Sequence, residues 1–255
     1  MARRSPTRIR SIDGLLLIDK PAGVTSHDVV LAARRAFGES RIGHGGTLDP
    51  FATGLLVLLL GRATRLLPYL DGEPKIYEAT IRFGAETDTD DLLGAVVRTA
   101  NAPAIEDVRA AIASLTGEIS QVPPAYSAKR VDGRRAYDAA RIGEALELAP
   151  VNVRVHSWEI ADWRGDELDV VISCGGGTYI RALARDLGRA TWSAAHLSAL
   201  RRTSSGSLSV QGAPTLETLR AGGAEVLPPL GALPALPVET LSEDEIARIA
   251  RGIPV

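Results

Sequence analysis

The chain has 255 residues, of which 45% are hydrophobic and 4% aromatic, and its formal net charge is −2. This length fits one large domain, or one domain with a small appendage, around a sizeable core. The single cysteine, Cys174, excludes an intrachain disulfide and a cysteine metal site. The basic start of the chain lacks a following apolar stretch, and the apolar run 55–60 is too short for a bilayer. We therefore expect a cytoplasmic protein with no signal peptide and no membrane association.

Apolar spacing and turn residues predict the elements of the first half of the chain. In order these are a buried strand ending at Pro21, a helix from Thr25 or Ser26 to Phe37, a glycine-rich loop at 43–54, a strand at 55–60, a short helix at 63–70, a strand at 75–83 and a helix at 103–115. Gly38 closes the first of these helices.

The second half begins with an extended segment at 122–127. It continues with a short helix at 135–142, an antiparallel hairpin of 151–163 and 167–174, a helix that residues 175–178 open and that runs to Arg189, a strand within 196–210, a short helix at 215–219, a proline-rich linker at 227–237 and a helix at 242–250 capped by Ser242. Strands and helices in this irregular order predict the α+β class with a mixed or antiparallel sheet.

Residues 43–54 are the stretch that most favours a functional site. They contain four glycines together with His44 and Asp49. Glycine lets the backbone approach a ligand closely, and loops beside buried strands often carry chemistry. Pro50 biases Asp49 toward an extended conformation. On composition alone, a tight turn whose aspartate caps backbone amides explains the stretch equally well.

Other motifs narrow the choice of chemistry. The chain contains no P-loop, no serine-nucleophile elbow and no HExxH zinc motif. The glycines at 175–177 suit an anion at a helix N-terminus but do not form a dinucleotide fingerprint. Arginines cluster at several places in this nearly neutral chain, which indicates either a local nucleic-acid face or ordinary solvated side chains.

Seven separated segments share a recognisable order and spacing. They are 14–21 (ending Asp19-Lys20-Pro21), 43–54, 75–77, 87–90, 124–129, 177–181 and 200–202. Together they make the chain resemble the TruB family of tRNA pseudouridine synthases from about Asp13 to its end. The resemblance implies the pseudouridine synthase fold, which is α+β with a mixed, mostly antiparallel central sheet flanked by helices. It also implies a basic N-terminal arm at 1–12, a catalytic domain at 13–226, and at 227–255 a proline-rich linker with the start of a truncated or absent PUA-like domain.

The activity implied by this resemblance is the isomerisation of uridine 55 in the T-loop of tRNA to pseudouridine. The family flips the base out of the RNA and uses no metal or organic cofactor. Asp49 matches the catalytic aspartate, Arg181 its cationic partner and Tyr77 the tyrosine at the base. A carboxylate suits glycosidic chemistry as a nucleophile or a stabiliser, and which atom Asp49 attacks stays open. The proton that leaves the uracil C5 goes to Tyr77, Asp49 or water.

The remaining site residues are assigned by the same resemblance to contacts with the T-arm stem-loop. His44 fills the place vacated by the flipped base, while Tyr179 and Leu200 contact the base itself. Phosphate contacts are expected of Lys20, Arg65, Lys129, Arg201 and Arg202, and substrate binding of Asp90. No obligatory protein partner is expected. The chain departs from the family pattern at Gly45, where a threonine is usual, and at Gly176, where a basic residue is frequent.

Three other functions stay open from the sequence. One is a non-catalytic module that binds or folds tRNA, and another is the guide-RNA-dependent branch of the same superfamily. The third is a glycosidase that releases free uracil.

Overall fold

A computed structural model describes residues 12–254 except 71, 128, 132–133, 136–143, 145 and 234–235. The predicted helix at 135–142 lies outside these residues apart from its first position, as does the predicted basic arm apart from its last.

Thirteen strands occur in the described part of the chain. They are β1 (Gly14–Lys20), β2 (Ile42–His44), β3 (Thr53–Leu60), β4 (Lys75–Phe83), β5 (Ala85–Thr87), β6 (Val96–Thr99), β7 (Gly117–Gln121), β8 (Arg130–Val131), β9 (Arg134–Arg135), β10 (Val151–Arg164), β11 (Glu167–Cys174), β12 (Ala195–Ser205) and β13 (Leu208–Ser209). The α-helices are α1 (Ser26–Phe37), α2 (Ile105–Ser114), α3 (Ile180–Ala190), α4 (Leu216–Arg220) and α5 (Glu243–Ala250).

Among the described residues, nine strands form one sheet in the order β1-β3-β12-β4-β11-β10-β7, with β2 beside β3 and β13 beside β12. Every pairing in this sheet is antiparallel except that of β3 with β12. The predicted mixed, mostly antiparallel sheet flanked by helices is therefore confirmed.

The two halves of the sheet meet where β3 pairs with β12 in parallel. In the described part of the chain two residue pairs join them, Arg201 with Thr53 and Arg202 with Gly54. A Cβ at Gly54 would lie 2.2 Å from the Arg202 carbonyl oxygen, and the φ of Gly54 is +99°. Glycine is thus required here both by its backbone conformation and by the closeness of the two strands.

Three hydrophobic clusters hold the sheet between its covering elements. The first packs β4, β11 and β12 with α2 and α3, and includes Leu48, Tyr77 and Leu200. The second packs β1 and β3 against α1 and α4, and the third covers the alternate residues of the same two strands. The residues of the predicted site therefore adjoin the first cluster.

Several predicted boundaries differ from the observed ones. The helix expected at 63–70 is a 3-10 helix at Gly61–Tyr69 that contains Pro68, whose missing N–H disfavours α-helical bonding. The helix that follows the glycines begins only at Ile180. Residues just past the predicted boundary at 226 pack on β1, since Leu15 and Leu227 exchange two backbone hydrogen bonds; the division into domains stays a prediction.

Candidate active site

The loop that carries Asp49 (residues 45–52, the Asp49 loop) is fastened on both sides of the aspartate. The hydroxyl of Ser26 accepts a hydrogen bond from the Leu48 N–H at 2.9 Å and donates one to the Leu48 carbonyl at 3.1 Å. On the other side, the Pro50 carbonyl accepts from the backbone N–H of Gly23 at 2.8 Å and from the Lys20 ammonium at 3.3 Å. Because its neighbours are held, Asp49 has a fixed position above the sheet.

Asp49 and Arg181 form a bidentate ion pair. Arg181 Nε donates to Asp49 Oδ2 and Arg181 Nη2 donates to Asp49 Oδ1, each at 2.9 Å. The Arg181 side chain is 5% exposed, whereas that of Asp49 is 31% exposed. The cation is therefore enclosed by the protein, and the carboxylate presents a reachable edge. The expectation that these two residues pair agrees with this geometry.

Two backbone carbonyls and a second carboxylate complete the surroundings of Arg181. Its Nη1 donates to the Thr89 carbonyl and its Nη2 to the Tyr126 carbonyl, each at 2.9 Å. Asp91 Oδ2 lies 3.5 Å from Nη1. A guanidinium presents its donors in a rigid planar fork, so contacts on several sides fix its orientation. Arg181 is consequently a rigid support for Asp49.

The acidity of Asp49 reflects opposing influences. Burial raises the pKa of its carboxyl above the ordinary value, while the charge and hydrogen bonds of Arg181 oppose that rise. The negative charge of Asp91 adds to the rise. The charge of Lys20 also lowers this pKa but less, so Arg181 is the main group that favours an ionised Asp49.

Tyr77 and Leu200 share the face of the sheet beside this pair. In the antiparallel pairing of β4 and β12, Ala79 lies opposite Leu200 and Tyr77 opposite Arg202. Tyr77 and Leu200 are both buried in the cluster that contains Leu48 and Ala52 of the Asp49 loop. Burial raises the pKa of the Tyr77 phenol, so it is neutral near pH 7. A neutral phenol suits packing against a base better than it suits proton removal.

Tyr179 stands at the start of α3, two residues before Arg181. Its backbone N–H donates to Gln121 Oε1 at 2.9 Å, and its carbonyl accepts from Gln121 Nε2 at 3.1 Å. This amide holds the residue that precedes the helix, which has no capping side chain at Tyr179. The Tyr179 side chain is half-buried. Gln121 therefore fixes the start of the helix that carries Tyr179 and Arg181, a role that its sequence context did not reveal.

His44 lies at the end of β2, opposite Leu58 of β3, and is half-buried. Its Nδ1 is buried and has no hydrogen-bond partner among the described residues. Burial lowers the pKa of the imidazole, and the nearby charge of Arg202 adds to that effect, so the ring is neutral at neutral pH. A neutral aromatic ring at the edge of the Asp49 loop fits the predicted stacking role, which stays a prediction.

The structure overturns the predicted phosphate contacts of Lys20 and Arg202, because both side chains are buried. Lys20 Nζ donates to the carbonyls of Pro21, Val24 and Pro50 at 2.8 to 3.3 Å. Arg202 donates to the carbonyls of Leu55 and Gly46. Both residues brace the Asp49 loop and the strands around it, and neither cation faces solvent.

The other basic residues divide by exposure. Arg65 and Lys129 are exposed, so they can reach RNA, and their phosphate contacts stay predictions. Arg201 is already paired with Asp19 through two hydrogen bonds of 3.0 and 2.7 Å. Any phosphate at Arg201 would have to compete with that carboxylate.

Asp90 is not placed to bind substrate as predicted. Its carboxylate is buried and pairs with Arg185 at 2.8 Å. Its neighbour Asp91 is the acid that approaches Arg181. Successive side chains of a turn point in different directions, so adjacent aspartates could not be told apart from the sequence. The only available signal was the presence of two consecutive acids beside a matching motif.

A groove of about 920 Å³ runs behind the Asp49 loop. It is lined by Phe51, Thr80, Val171 and Arg201 among others. Thr80 alternates with Tyr77 and Ala79 along β4, so its side chain points to the other face of the sheet. Ala79 and Leu200 line the groove as well, so it adjoins the strands that carry the candidate base contacts.

No helix in the described ranges has the length and apolarity needed to cross a membrane. Within the same ranges, no group of three or more histidine, cysteine or acidic side chains is arranged to hold a metal ion.

Comparison with known proteins places these features in context. Residues 34–180 match the model of the N-terminal domain of TruB family pseudouridylate synthases. The tRNA pseudouridine synthase B of Arthrobacter sp. (strain FB24) is 49% identical over 250 residues, covering 94% of this chain and 81% of the relative. That of Thermobifida fusca (strain YX) is 47% identical over 251 residues, covering 94% and 85%. A crystal structure of a Cbf5-Nop10-Gar1 complex superposes with a TM-score of 0.70 at 25% identity, covering 94% of this chain and 67% of that one.

Proposed function

This chain belongs to the TruB family of pseudouridylate synthases, and from that premise we propose that it isomerises uridine 55 in the T-loop of tRNA to pseudouridine. The observation that carries the proposal is the bidentate pair of Asp49 and Arg181, with the acid partly exposed and the cation enclosed. The pair lies in the segments by which the chain resembles the family. We also propose a cytoplasmic location, because tRNA is the proposed substrate.

The reaction moves a glycosidic bond without net change in composition. The bond from the ribose C1′ to the uracil N1 breaks, the uracil turns over, and a bond from C1′ to C5 forms. The hydrogen on C5 leaves as a proton, and N1 gains one. Asp49 is the charged group available to act on the sugar or the detached base, and its ionised form is the one that can do so.

Neighbouring side chains bind the base in this scheme. Leu200 and Tyr77 provide an apolar and an aromatic surface beside the Asp49 loop. Because the Tyr77 phenol stays neutral, we assign the C5 proton to Asp49 or to water, and Tyr77 to stacking. Tyr179, two residues before Arg181, is assigned to the opposite contact with the base.

The substrate uridine has to leave its stack before Asp49 can reach it. Flipping a base costs a few (~) kcal/mol, and stacking of a base on an aromatic side chain offsets about 1–3 kcal/mol of that cost. His44 is proposed to occupy the vacated place, since its neutral ring stands at the rim of the Asp49 loop. Arg65 and Lys129, being exposed, are proposed to contact phosphates.

A guide-independent reaction is the form that the comparisons favour. The relatives named tRNA pseudouridine synthase B are 45–49% identical to this chain, against 25% for the Cbf5 structure. We therefore propose that the chain acts on tRNA without a guide RNA or an obligatory protein partner.

The deciding experiment maps pseudouridine in a T-arm stem-loop RNA after incubation with the purified chain, without guide RNA, partner protein or added metal. We expect pseudouridine at the position that corresponds to 55 and an unchanged RNA mass. Asp49→Asn, the matched control, should bind the RNA but lower the rate by about 10³-fold or more, because the side chain keeps its shape and loses its charge. Release of free uracil would indicate a glycosidase, and binding without any product by the unaltered chain a non-catalytic module.

A further inference from the structure

One face of α3 carries three arginines that each meet an acid from residues 86–91. Arg181 approaches Asp91, Arg185 pairs with Asp90, and Arg189 pairs with Glu86. The arginines are four residues apart, so they lie one above another along the helix. Among the described residues, only the first of these three arginines, Arg181, contacts Asp49. The second ion pair, Arg185 with Asp90, has no part in the proposed chemistry.

The Arg185–Asp90 pair is built into the interior. The distance from Arg185 Nη1 to Asp90 Oδ2 is 2.8 Å, and both side chains are 8% exposed. Arg185 Nη2 donates to the Val122 carbonyl at 2.8 Å, and its Nε donates to Asp186 at 2.9 Å. Every group of this guanidinium therefore has a partner in a place where unpaired charge would be costly.

Arg185, one turn further along α3, binds the same two segments as Arg181. Arg181 binds the carbonyls of Thr89 and Tyr126. Arg185 binds the carboxylate of Asp90, the residue after Thr89, and the carbonyl of Val122, four residues before Tyr126. The two segments that supply carbonyl acceptors to Arg181 are thus both tied to α3 by Arg185.

The backbone at Asp90 makes this tie consequential. Its φ is +59°, in the left-handed region that non-glycine residues rarely adopt. Its N–H donates to the Thr87 carbonyl, and its carbonyl accepts from the Leu197 N–H, both at 3.1 Å. Such a conformation persists only where the surroundings hold it. The conformation of Asp90 fixes the positions of its two neighbours, Thr89 and Asp91, and both of these contact Arg181.

We propose that Arg185 and Asp90 are positioning residues, which hold residues 89–91 and 122–126 against Arg181 and thereby orient Asp49. The inference rests on the proposed function for its kinetic consequence, whereas its structural consequence is independent of it. Both side chains are buried, so neither is placed to touch the substrate. Their removal should loosen the arginine that supports the acid while leaving the RNA-binding surface in place.

Asp90→Asn is the principal test, because asparagine tolerates a left-handed backbone and keeps the shape while removing the charge. At saturating T-arm RNA we expect its single-turnover rate to fall about tenfold to a hundredfold, as for a small displacement of a reacting group. We expect its RNA affinity to stay within about twofold and Arg185→Lys to retain more of the rate than Arg185→Gln, because lysine keeps the charge.

Arg189→Gln is the matched control, since it removes the next arginine on the same helix face while Glu86 keeps Arg98 as a partner. We expect its rate to equal that of the unaltered chain. The proposal is overturned if folded Asp90→Asn turns over at the unaltered rate, if its rate and affinity fall together, or if Arg189→Gln slows the reaction equally.

A second measurement needs no activity. In ¹⁵N-labelled protein, the Nε–H signal of Arg181, assigned by its disappearance in Arg181→Lys, should exchange slowly with water. Asp90→Asn should speed that exchange by about tenfold or more, since the protection comes from local closure, and Arg189→Gln should not. If the unaltered chain makes no pseudouridine, the proposed function fails, while this exchange rate still decides the positioning role. Unchanged exchange in Asp90→Asn would refute it.

Discussion

At the scale of single residues, the contrast between Asp49 and Arg181 explains how a buried ion pair can serve a reaction. An enclosed cation that donates to four oxygens, two of Asp49 and one each of Thr89 and Tyr126, cannot swing toward the substrate, so it stays with the acid. The acid keeps one edge free for chemistry. A fixed charge beside the reacting group costs no reorganisation when the reaction occurs.

Replacing Arg181 with alanine should separate catalysis from binding. Burial already raises the pKa of Asp49, and loss of the arginine removes the main opposing influence, so Asp49 should stay protonated to a higher pH. We expect turnover to fall by about 100-fold or more at neutral pH, with the acid limb of the rate profile moved upward. RNA affinity should change much less. Equal losses in rate and affinity would contradict the assigned role.

Lys20 should leave a signature in the pH dependence of stability. Burial lowers its pKa from 10.5 to about 8, although the charge of Asp49 opposes this. Between those values the unfolded chain binds a proton that the folded chain lacks, so the free energy of unfolding rises with pH. The contribution is at most about 1.4 kcal/mol per pH unit.

Denaturant unfolding of the unaltered chain and of Lys20→Met from pH 7.5 to 10.5 measures this contribution. We expect the stability of the variant to rise less steeply across the interval. The same substitution at the exposed Lys129 is the control. Parallel curves for the unaltered chain and Lys20→Met would show that the buried ammonium keeps its proton throughout.

At the scale of elements, the pairing of β3 with β12 joins the two halves of the sheet and also supports the Asp49 loop. Gly54 of β3 permits the close approach of the strands. Arg202, which lies opposite Gly54 on β12, donates a hydrogen bond to the Gly46 carbonyl of the Asp49 loop. A substitution that separates these two strands should therefore lower the free energy of unfolding and displace the Asp49 loop.

Gly54→Ala should be considerably more destabilising than Gly165→Ala. Both glycines have positive φ, but a Cβ at Gly54 would collide with the backbone of Arg202, whereas no atom of the described residues lies within 4 Å of a Cβ at Gly165. We expect about 1 kcal/mol of destabilisation at Gly165 from conformation alone, and at least about 3 kcal/mol at Gly54. Thermal and denaturant unfolding compare the two variants. Equal losses would show that the strands can move apart freely.

At the scale of the whole molecule, a chain with net charge −2 has to bind a polyanion through a local set of cations. Of the cations predicted to contact phosphate, Lys20 and Arg202 are buried. Arg65 and Lys129 are exposed and can reach RNA. Counting basic residues along the sequence thus overstates the charge available to RNA.

Salt dependence of RNA binding tests which cations reach phosphate. Arg65→Gln and Lys129→Gln should each weaken binding and reduce the slope of log affinity against log salt concentration by about 0.7 to 1. Lys20→Met should leave that slope unchanged, since its ammonium is bound to carbonyls. A slope that falls in Lys20→Met would indicate that the lysine leaves its interior position when RNA binds.

The elements with strong apolar patterns were predictable from the sequence. The helix α1, with Thr25 at its N-cap and Gly38 at its end, and the strands β3, β4, β10 and β11 follow from local spacing. The strand β6 is exposed along its whole length and so lacks an apolar pattern, and it was missed. Short edge strands form because a neighbour offers backbone partners, which local sequence does not record.

The sequence by itself determined the family, the sheet class and the candidate pairing of Asp49 with Arg181, because those depend on motifs and on repeated apolar spacing. Only the tertiary structure decided that Lys20 and Arg202 are buried braces, that Arg185 holds Asp90, and that Asp91 rather than Asp90 approaches Arg181. The physical reason is that a side chain's role depends on which distant segment faces it. Asp49 and Arg181 are 132 positions apart, and the fold alone brings such segments together.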